Sequence, residues 1–370
     1  MNTNITHMRV MIISIIVSII SIIGLITPVN AYADDTRNNV IRMNTKANND
    51  NDIPVNDGNA INQNENGIIW DNSFPENKIN PKYIVGSDDR IKVTNTMKPP
   101  YDNIVNIISY DGRDADSDYV ESALEAHHVN HHAESCTGIL ISSTVVLTAG
   151  HCLYYRYYDN SKNMIAKGNR GDFIVIPARN GGDMNEWNNP DYKENPSAYP
   201  RGVYETTEMW YDGRFINGND GYYDHTKFNY DWGILFLKTP VKDYNDEYTY
   251  GQYVNSDLSN LSVASYPKST PENPDAKYFD YSMWLSKGKY IGGYSNFKWD
   301  TDSDNYNKLI VVDNDVTPGS SGAGVYNKNH KIIGIISFQD RANNGYPLNI
   351  VRIIDNELEE LLMKATSEAL

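Results

Sequence analysis

Short apolar runs separated by polar, turn-forming spacers recur through much of the chain. They are rich in β-branched and aromatic residues and are bounded by Gly, Asn, Asp or Pro. Runs of this kind with such boundaries predict many short β-strands. The clearest runs are Asn103–Ser109, Gly138–Leu147, Phe173–Pro177, Trp232–Lys238, Leu309–Val312 and Lys331–Phe338.

A helical period is clear at one place, near the C-terminus. Apolar residues there fall on one stripe and three glutamates fall outside it, which predicts a helix over about 353–364. The stripe consists of Ile353, Ile354, Leu358, Leu361 and Leu362. An all-β sandwich or barrel closed by one terminal helix is therefore expected. No period of about 20–50 residues repeats along the chain, which argues against a solenoid or propeller.

The N-terminal residues 1–33 have the pattern of a secretory signal peptide. An apolar run over Val10–Ile26 follows Arg9, and Ala31-Tyr32-Ala33 supplies the small residues that a signal peptidase reads. The alternative is an uncleaved membrane anchor, but the run is at the short end for a membrane span and serines interrupt it. We therefore predict cleavage after Ala33 and a secreted, extracellular protein with no stable membrane association afterwards.

The following segment, residues 34–82, is dominated by Asn and Asp and has few large apolar residues. It buries little surface, so it is predicted to be a linker or a pro-segment that is mobile or folds only against another surface. The chain of 370 residues has a net charge of −16, which would repel nucleic acid. Its two cysteines exclude a four-cysteine zinc site.

Three motifs, each weak alone, together point to acyl transfer. They are the segments Thr148–Cys152, Tyr230–Leu235 and Thr317–Gly324, which contain His151, Asp231 and Ser321. Attack on an amide needs an alcohol, a base within hydrogen-bond reach and a carboxylate that orients the base. His151, Asp231 and Ser321 provide these groups in the chain order found in chymotrypsin. The N–H groups of Gly319 and Ser321 are the predicted oxyanion donors.

The residues Cys136-Thr137-Gly138, followed by the His151 motif, resemble the chymotrypsin-fold serine peptidases. The closer likeness is to the secreted bacterial glutamyl endopeptidases, because Tyr230–Gly233 resembles their Asp strand and Ile84–Arg90 resembles the start of their mature chains. The resemblance implies a disulfide between Cys136 and Cys152 that fixes the histidine loop.

The same resemblance implies the domain organisation. Two six-stranded antiparallel β-barrels, the first over about 83–245 and the second over about 246–352, would hold the site between them. Residues 34–82 would be a pro-segment removed near Lys82–Tyr83, leaving residues 83–370 as the protease domain. The freed α-amino group would then lie near the substrate site.

Substrate specificity departs from the glutamyl endopeptidases. Ile336 occupies the place of the histidine that helps them bind a substrate glutamate, and Ile cannot donate to a carboxylate. The strand instead resembles that of chymotrypsin, in which a serine and the aromatic residue after it flank the P1 residue. Ser337 of this chain would take the place of that serine. Asp315 precedes Ser321 at the spacing of the acid that binds Lys or Arg in trypsin-like enzymes. We predict that Asp315 binds a basic P1 residue and that such a residue is preferred to Glu. Two alternatives are that Asp313 binds the P1 residue instead, or that Asp315 is only a turn residue.

No cofactor or metal is expected, because the triad needs neither. The run His127–His132 has the ligand type that zinc prefers but is more typical of a solvated loop. Acids between Asp114 and Glu125 match a calcium loop except at Tyr119, where the pattern requires Gly.

The predicted function is therefore a secreted, monomeric serine endopeptidase that acts on protein or peptide substrates. The alternative is a narrow-specificity, toxin-like protein or a catalytically inactive binding protein on the same fold.

Overall fold

The computed structural model describes residues 39–45, 68–70, 84–110, 134–159, 164–182, 197–217, 225–246, 248–253, 257–274, 279–297 and 306–369. The chain divides into Met1–Val40 and a compact unit, Ile41–Leu370, to which the features below belong.

β-Strands make up most of the regular structure in the described residues. They are β1 Val40–Asn44, β2 Ile68–Trp70, β3 Ile91–Lys92, β4 Ile104–Tyr110, β5 Glu134–Leu140, β6 Val145–Thr148, β7 Tyr154–Asp159, β8 Met164–Asn169, β9 Gly171–Pro177, β10 Tyr204–Asp212, β11 Gly233–Leu237, β12 Thr249–Tyr250, β13 Leu261–Ser265, β14 Trp284–Gly288, β15 Tyr290–Gly293, β16 Leu309–Val312, β17 Gly324–Asn327, β18 Lys331–Arg341 and β19 Pro347–Ile353.

Helices are few and mostly short. The α-helices of the described residues are α1 Gly213–Asn217 and α2 Asn356–Glu368. The 3-10 helices are η1 Tyr101–Asn103, η2 Gly150–Cys152, η3 His225–Tyr230 and η4 Tyr294–Phe297.

The first barrel consists of six antiparallel strands that close on themselves. Their order is β10-β11-β6-β5-β4-β9, and β9 returns to pair with β10. Strands β6 and β11 are buried along their whole length, which explains why their sequences are almost continuously apolar. Because Gly233 pairs with Thr148, the end of β6 lies beside the start of β11. The loops that carry His151 and Asp231 therefore meet.

The second barrel differs from the closed, six-stranded antiparallel barrel that was predicted. It is a half-barrel in a nine-stranded sheet on the path β15-β16-β19-β18-β17-β13-β14-β3, and β12 pairs in parallel with β18. Strands β14 and β15 are consecutive in the chain, with Lys289 alone between them. Branched aliphatic side chains form the core of this sheet: Leu261, Val263, Ile310, Val312, Val316, Ala323, Val325, Ile333, Ile336, Val351 and Ile353. The prediction of an all-β, chymotrypsin-like fold with a C-terminal helix is confirmed.

One apolar run that suggested a single strand is a hairpin. The run Gly138–Leu147 contains the end of β5, a turn and most of β6. The turn falls at Ser142-Ser143-Thr144, where the Thr144 N–H donates to Ser142 Oγ over 3.3 Å. Hydroxyl side chains compete with strand pairing in this way and favour turns.

The N-terminal segments fold against the body of the protein. Thr45, directly after β1, donates its N–H to the Thr207 carbonyl of β10 over 3.1 Å. Strand β2 pairs with β7 in a separate three-stranded sheet with β8. Strand β3 pairs with β14, so it belongs to the second sheet although its position in the sequence predicted the first barrel.

The C-terminal helix begins later than its apolar stripe predicted. Ile353 belongs to β19, and Asp355 is the N-cap of α2, its side chain accepting the Leu358 N–H over 3.0 Å. Asp355 also forms ion pairs with Lys308 and Arg352. Asp is a preferred N-cap because its carboxylate satisfies an N–H that the helix leaves open.

Several predictions from the sequence concern residues outside the described ranges. These are the signal peptide over 1–33, most of the segment 34–82, the cleavage site Lys82–Tyr83, the run His127–His132 and the acids of Asp114–Glu125. Among the described helices, none has both the length and the apolar character needed to cross a membrane.

Replacing the helix cap should lower stability in a pH-dependent way. We expect Asp355→Ala to lower the free energy of unfolding by about 1–2 kcal/mol, and Asp355→Asn, which keeps a capping oxygen, to lower it less. Burial opposes the charge of Asp355, but Arg352 and Lys308 outweigh burial and lower its pKa to about 2. A lowered pKa gives stability that is present above the ordinary value of 3.8 and is lost as the pH falls towards 2.

Urea unfolding of the three proteins at pH 7 and at pH 3 measures this effect. The gap between wild type and Asp355→Asn should narrow at pH 3. Equal stability of all three proteins at pH 7 would contradict the cap.

Candidate active site

His151 lies in η2, directly after β6, and its side chain is almost fully buried. A disulfide joins Cys152, the next residue, to Cys136 on β5. The loop of the histidine is thus tied covalently to the neighbouring strand of the first barrel. This crosslink limits the positions that the imidazole can take.

Asp231 lies between η3 and β11 and is completely buried. Its Oδ1 accepts the backbone N–H of His151 over 2.8 Å, and its Oδ2 lies 2.9 Å from His151 Nδ1. The Ser337 hydroxyl, on β18 of the second barrel, also donates to Oδ2. A buried carboxylate is costly unless such donors surround it.

The protonation of this pair follows from its contacts. Burial alone would raise the pKa of Asp231, but the charge of His151 and the hydrogen bonds from His151 and Ser337 outweigh burial and lower it. Asp231 is therefore a carboxylate, and His151 Nδ1 carries the hydrogen that it accepts. That tautomer leaves Nε2 as the basic nitrogen of the imidazole.

The loop of Ser321 turns at two glycines in the left-handed region, Gly319 with φ +97° and Gly322 with φ +79°. The Pro318 carbonyl accepts from Lys268 N over 2.7 Å, and the Ser320 carbonyl accepts from Ala323 N over 3.0 Å. In a trans peptide the N–H points away from the carbonyl, so the N–H groups of residues 319 and 321 face the opposite side. No described residue accepts a hydrogen bond from either N–H.

Backbone contacts bring Ser321 against the histidine loop. Its carbonyl oxygen accepts from Thr137 N over 2.9 Å and lies 3.8 Å from Cys152 Sγ. A Cβ atom on Gly322 would lie 2.8 Å from Ala149 N, two residues before His151. The three predicted residues therefore come together where the two barrels meet.

Thr137 is a site residue to which the sequence motif gave no role. It is fully buried on β5, and its Oγ1 donates to the Gly319 carbonyl over 2.7 Å while accepting from Tyr266 N over 3.0 Å. Its N–H holds the Ser321 carbonyl, and its carbonyl accepts from Thr148 Oγ1. One first-barrel residue thus binds the loop of Ser321 at two points.

Strand β18 follows Ser321 in the chain and contains Ile336 and Ser337, which were considered from the sequence as residues of the substrate site. Ser337 lies beside Asp231, and the ring of Phe338 stacks on Phe228 of η3 with 4.1 Å between centroids. The Ile336 side chain, 2% exposed, packs in the core of the second barrel, while its backbone N–H and carbonyl bind Ala323 and Gly322. Ile336 therefore forms its hydrogen bonds with the loop of Ser321 through its backbone.

Asp315 holds the N-terminal segment of the body. Its carboxylate accepts from Val85 N over 2.7 Å and more weakly from Asp89 N over 3.5 Å. Burial raises its pKa to about 6 against the effect of these two bonds, and the charges of Asp88 and Asp89 add to the rise. The Arg90 guanidinium also donates to the Thr317 hydroxyl, so the segment is fixed to the loop that precedes Ser321.

One group of potential metal ligands occurs in the described part of the chain. It consists of Cys136, His151 and Cys152. Both sulfur atoms are in the disulfide, and it is the thiolate that binds metals. These residues do not fit a metal ion.

Comparisons with known proteins identify relatives of this arrangement. The trypsin-like peptidase domain family matches residues 136–335, more than half of the chain. The glutamyl endopeptidase of Bacillus licheniformis is 30% identical over 188 residues, which are 50% of this chain and 42% of that protein. The matched part therefore spans less than half of that relative.

Two further proteins match more of the chain. The extracellular metalloprotease of Bacillus subtilis is 25% identical over 281 residues, covering 76% of this chain and 68% of that protein. The structure of a Glu endopeptidase in complex with MPD superposes with a TM-score of 0.50 at 20% identity, covering 77% of this chain and 99% of that one. At this identity the superposition shows a shared fold.

Gly322 should be far less replaceable than a glycine with similar backbone geometry elsewhere. A Cβ there would lie 2.1 Å from Thr148 Oγ1 and 2.4 Å from the Thr137 carbonyl, whereas one on Gly345, at φ +83°, meets nothing within 4 Å. Left-handed backbone costs a non-glycine residue about 1–2 kcal/mol. We expect Gly345→Ala to lose that amount and Gly322→Ala clearly more, by urea unfolding. Equal losses would show that the contact with β5 and β6 is unimportant.

Proposed function

The chain belongs to the trypsin-like peptidase family, and on that premise we propose that it is a secreted serine endopeptidase with Ser321 as its nucleophile. The observation that carries the proposal is the buried His151–Asp231 pair beside the glycine-framed loop of Ser321. The similarity to a relative also supports the reaction class, since the Bacillus licheniformis protein is a glutamyl endopeptidase.

Each member of the site would have a distinct role in the reaction. His151 Nε2 would accept the Ser321 hydroxyl proton as the oxygen attacks the peptide carbonyl, and would later give it to the leaving amine. Asp231 would hold the imidazole in the required tautomer and stabilise its positive charge. Water, deprotonated by the same histidine, would then hydrolyse the acyl-enzyme.

The backbone would stabilise the oxyanion that forms on the carbonyl. The N–H groups of Gly319 and Ser321 are the expected donors, because neither is used by the described residues. Lys268 and Thr137 fix the carbonyls of Pro318 and Gly319, which supports a loop held in place before substrate arrives. Donors that need no reorganisation contribute most to this kind of catalysis.

We also propose that the protein is made as a precursor and is processed near Lys82–Tyr83. The residues just after that bond, Val85 to Arg90, are bound by Asp315 and Thr317 next to the nucleophile loop. A chain end created at Tyr83 would therefore lie two residues from a segment that is already anchored. Residues 1–33 would be the secretory signal and 34–82 the pro-segment.

A serine-directed fluorophosphonate tests the nucleophile. The secreted, processed protein should gain the mass of one adduct, because His151 and Asp231 make Ser321 nucleophilic. Ser321→Ala should gain none. The neighbouring serine provides a matched control: Ser320 is buried with its hydroxyl 2.9 Å from Ser265 Oγ, so Ser320→Ala should still be labelled.

The result that would overturn the proposal is the absence of an adduct on folded, processed wild-type protein. Retention of the adduct by Ser321→Ala would equally move the nucleophile to another residue.

N-terminal sequencing of the secreted protein tests the processing site. We expect a first residue of Tyr83 in wild type, and Lys82→Gln should abolish this end because the predicted cleavage follows Lys82. Lys78→Gln, which changes a lysine in the same segment, should not. A wild-type chain that begins at Asp34 would contradict processing of the pro-segment.

A further inference from the structure

Gln339 bridges the two chain segments that border the nucleophile. It lies on β18, two residues after Ser337, and is 5% exposed. Its side-chain nitrogen donates to the Val316 carbonyl over 2.8 Å and to Asn349 Oδ1 over 2.8 Å. Val316 precedes Ser321 by five residues, so the bridge runs from the strand after the site to the loop before it.

A second amide side chain extends this bridge. Asn349, on β19, pairs with Gln339 across the sheet and is fully buried. Its Nδ2 donates to the Asn314 carbonyl over 2.7 Å. Two large amide side chains therefore fill the space between β18, β19 and the loop of residues 314–316.

The substrate must use this same space. In the proposed reaction the scissile carbonyl lies at Ser321, with its oxygen towards the N–H groups of Gly319 and Ser321. The P1 side chain leaves from the carbon next to that carbonyl. It would pass between the loop that leads to Gly319 and the part of β18 after Ile336, since β18 borders the Ser321 loop: the Ile336 carbonyl accepts the Gly322 N–H over 2.8 Å.

We propose that Gln339, with Asn349, is the specificity-determining residue of the site and limits it to short, uncharged P1 side chains such as Ala and Ser. This inference rests on the proposed function and deepens it. A long P1 side chain would have to displace an amide that is hydrogen-bonded on both sides. Breaking buried hydrogen bonds without replacing them is costly.

An unused acceptor supports the same conclusion. No described residue donates to the buried Gln339 Oε1. Buried polar atoms in native proteins almost always have a partner. A P1 serine hydroxyl has the right chemistry to donate to this oxygen, which a P1 alanine would leave as it is without the cost of displacing the amide.

If the Gln339 bridge closes the P1 pocket in this way, the role expected of Asp315 changes. The carboxylate already binds the backbone of Val85, and Gln339 spans the gap beside it through the neighbouring Val316. A Lys or Arg side chain would therefore not be the preferred P1 group, contrary to the prediction from the sequence. Cleavage after Lys82 would then be the work of another, basic-specific peptidase, and the purified precursor should not process itself.

The test compares peptide aminomethylcoumarins that differ only at P1, with Ala, Ser, Lys, Arg or Glu. Wild type should have a kcat/KM for Ala and Ser at least about 10-fold above that for Lys, Arg or Glu, as a filled pocket discriminates by size. Gln339→Gly should raise the kcat/KM for the Lys and Arg substrates, relative to that for the Ala substrate, by about 10-fold or more. Gln339→Ala, which removes the amide with less backbone freedom, serves as a second variant.

Arg341→Ala is the matched control, because Arg341 is on the same strand with its side chain exposed and donating to the Gly345 carbonyl. Its P1 profile should equal that of wild type. The proposal is overturned if wild type cleaves after Lys, Arg or Glu as fast as after Ala. It is also overturned if both Gln339 variants keep the wild-type profile.

Two readouts separate this inference from the proposed function. Fluorophosphonate labelling of Ser321 reports the triad whatever the pocket accepts, so loss of labelling counts against the function. Binding of benzamidine, a rigid cation of P1 size, reports the pocket without turnover. Calorimetry should detect no binding to wild type at millimolar concentration and binding to Gln339→Gly. Tight binding to wild type would contradict the closure.

Discussion

The Asp231 carboxylate is completely buried and takes its hydrogen bonds from both barrels: His151 belongs to the first, and Ser337 to the second. A charge removed from water is destabilising unless donors replace the lost hydration. The donors here are complete only when β18 lies against the loops of the first barrel. The arrangement of His151 and Asp231 and the packing of the two barrels therefore depend on one another.

Much of this site could be predicted from the sequence, because its chemistry lies in short motifs. His151 and Asp231 each stand next to a run of apolar residues that forms a strand, and Ser321 stands in a segment rich in glycine that predicts a turn. The clearest apolar runs also located seven of the nineteen described strands, among them β6 and β11, which adjoin the loops of His151 and Asp231. The turn inside Gly138–Leu147 escaped this reasoning, since hydroxyl side chains there outweigh an otherwise strand-like composition.

The remainder depends on contacts between residues far apart in the chain. Asp315 binds Val85 across 230 positions, and no local pattern reveals that pairing. Gln339 is one polar residue at the end of an apolar strand. Its proposed role in specificity follows from its two hydrogen-bond acceptors, which only the folded chain brings together. The residues proposed for catalysis thus lie in short local motifs, whereas the contacts proposed to select the substrate arise from tertiary packing.

Thr137 connects β5 of the first barrel to the loop of Ser321 through hydrogen bonds. Its backbone and side chain hold the carbonyls on both sides of Ser320, so any tilt of β5 is transmitted directly to the turn around the nucleophile. In the proposed binding mode the P1 side chain contacts a different segment, the part of β18 after Ile336. Strain in the first barrel should therefore slow acylation while substrate affinity stays the same. Distant core substitutions that leave the protein folded would then act on kcat rather than on KM.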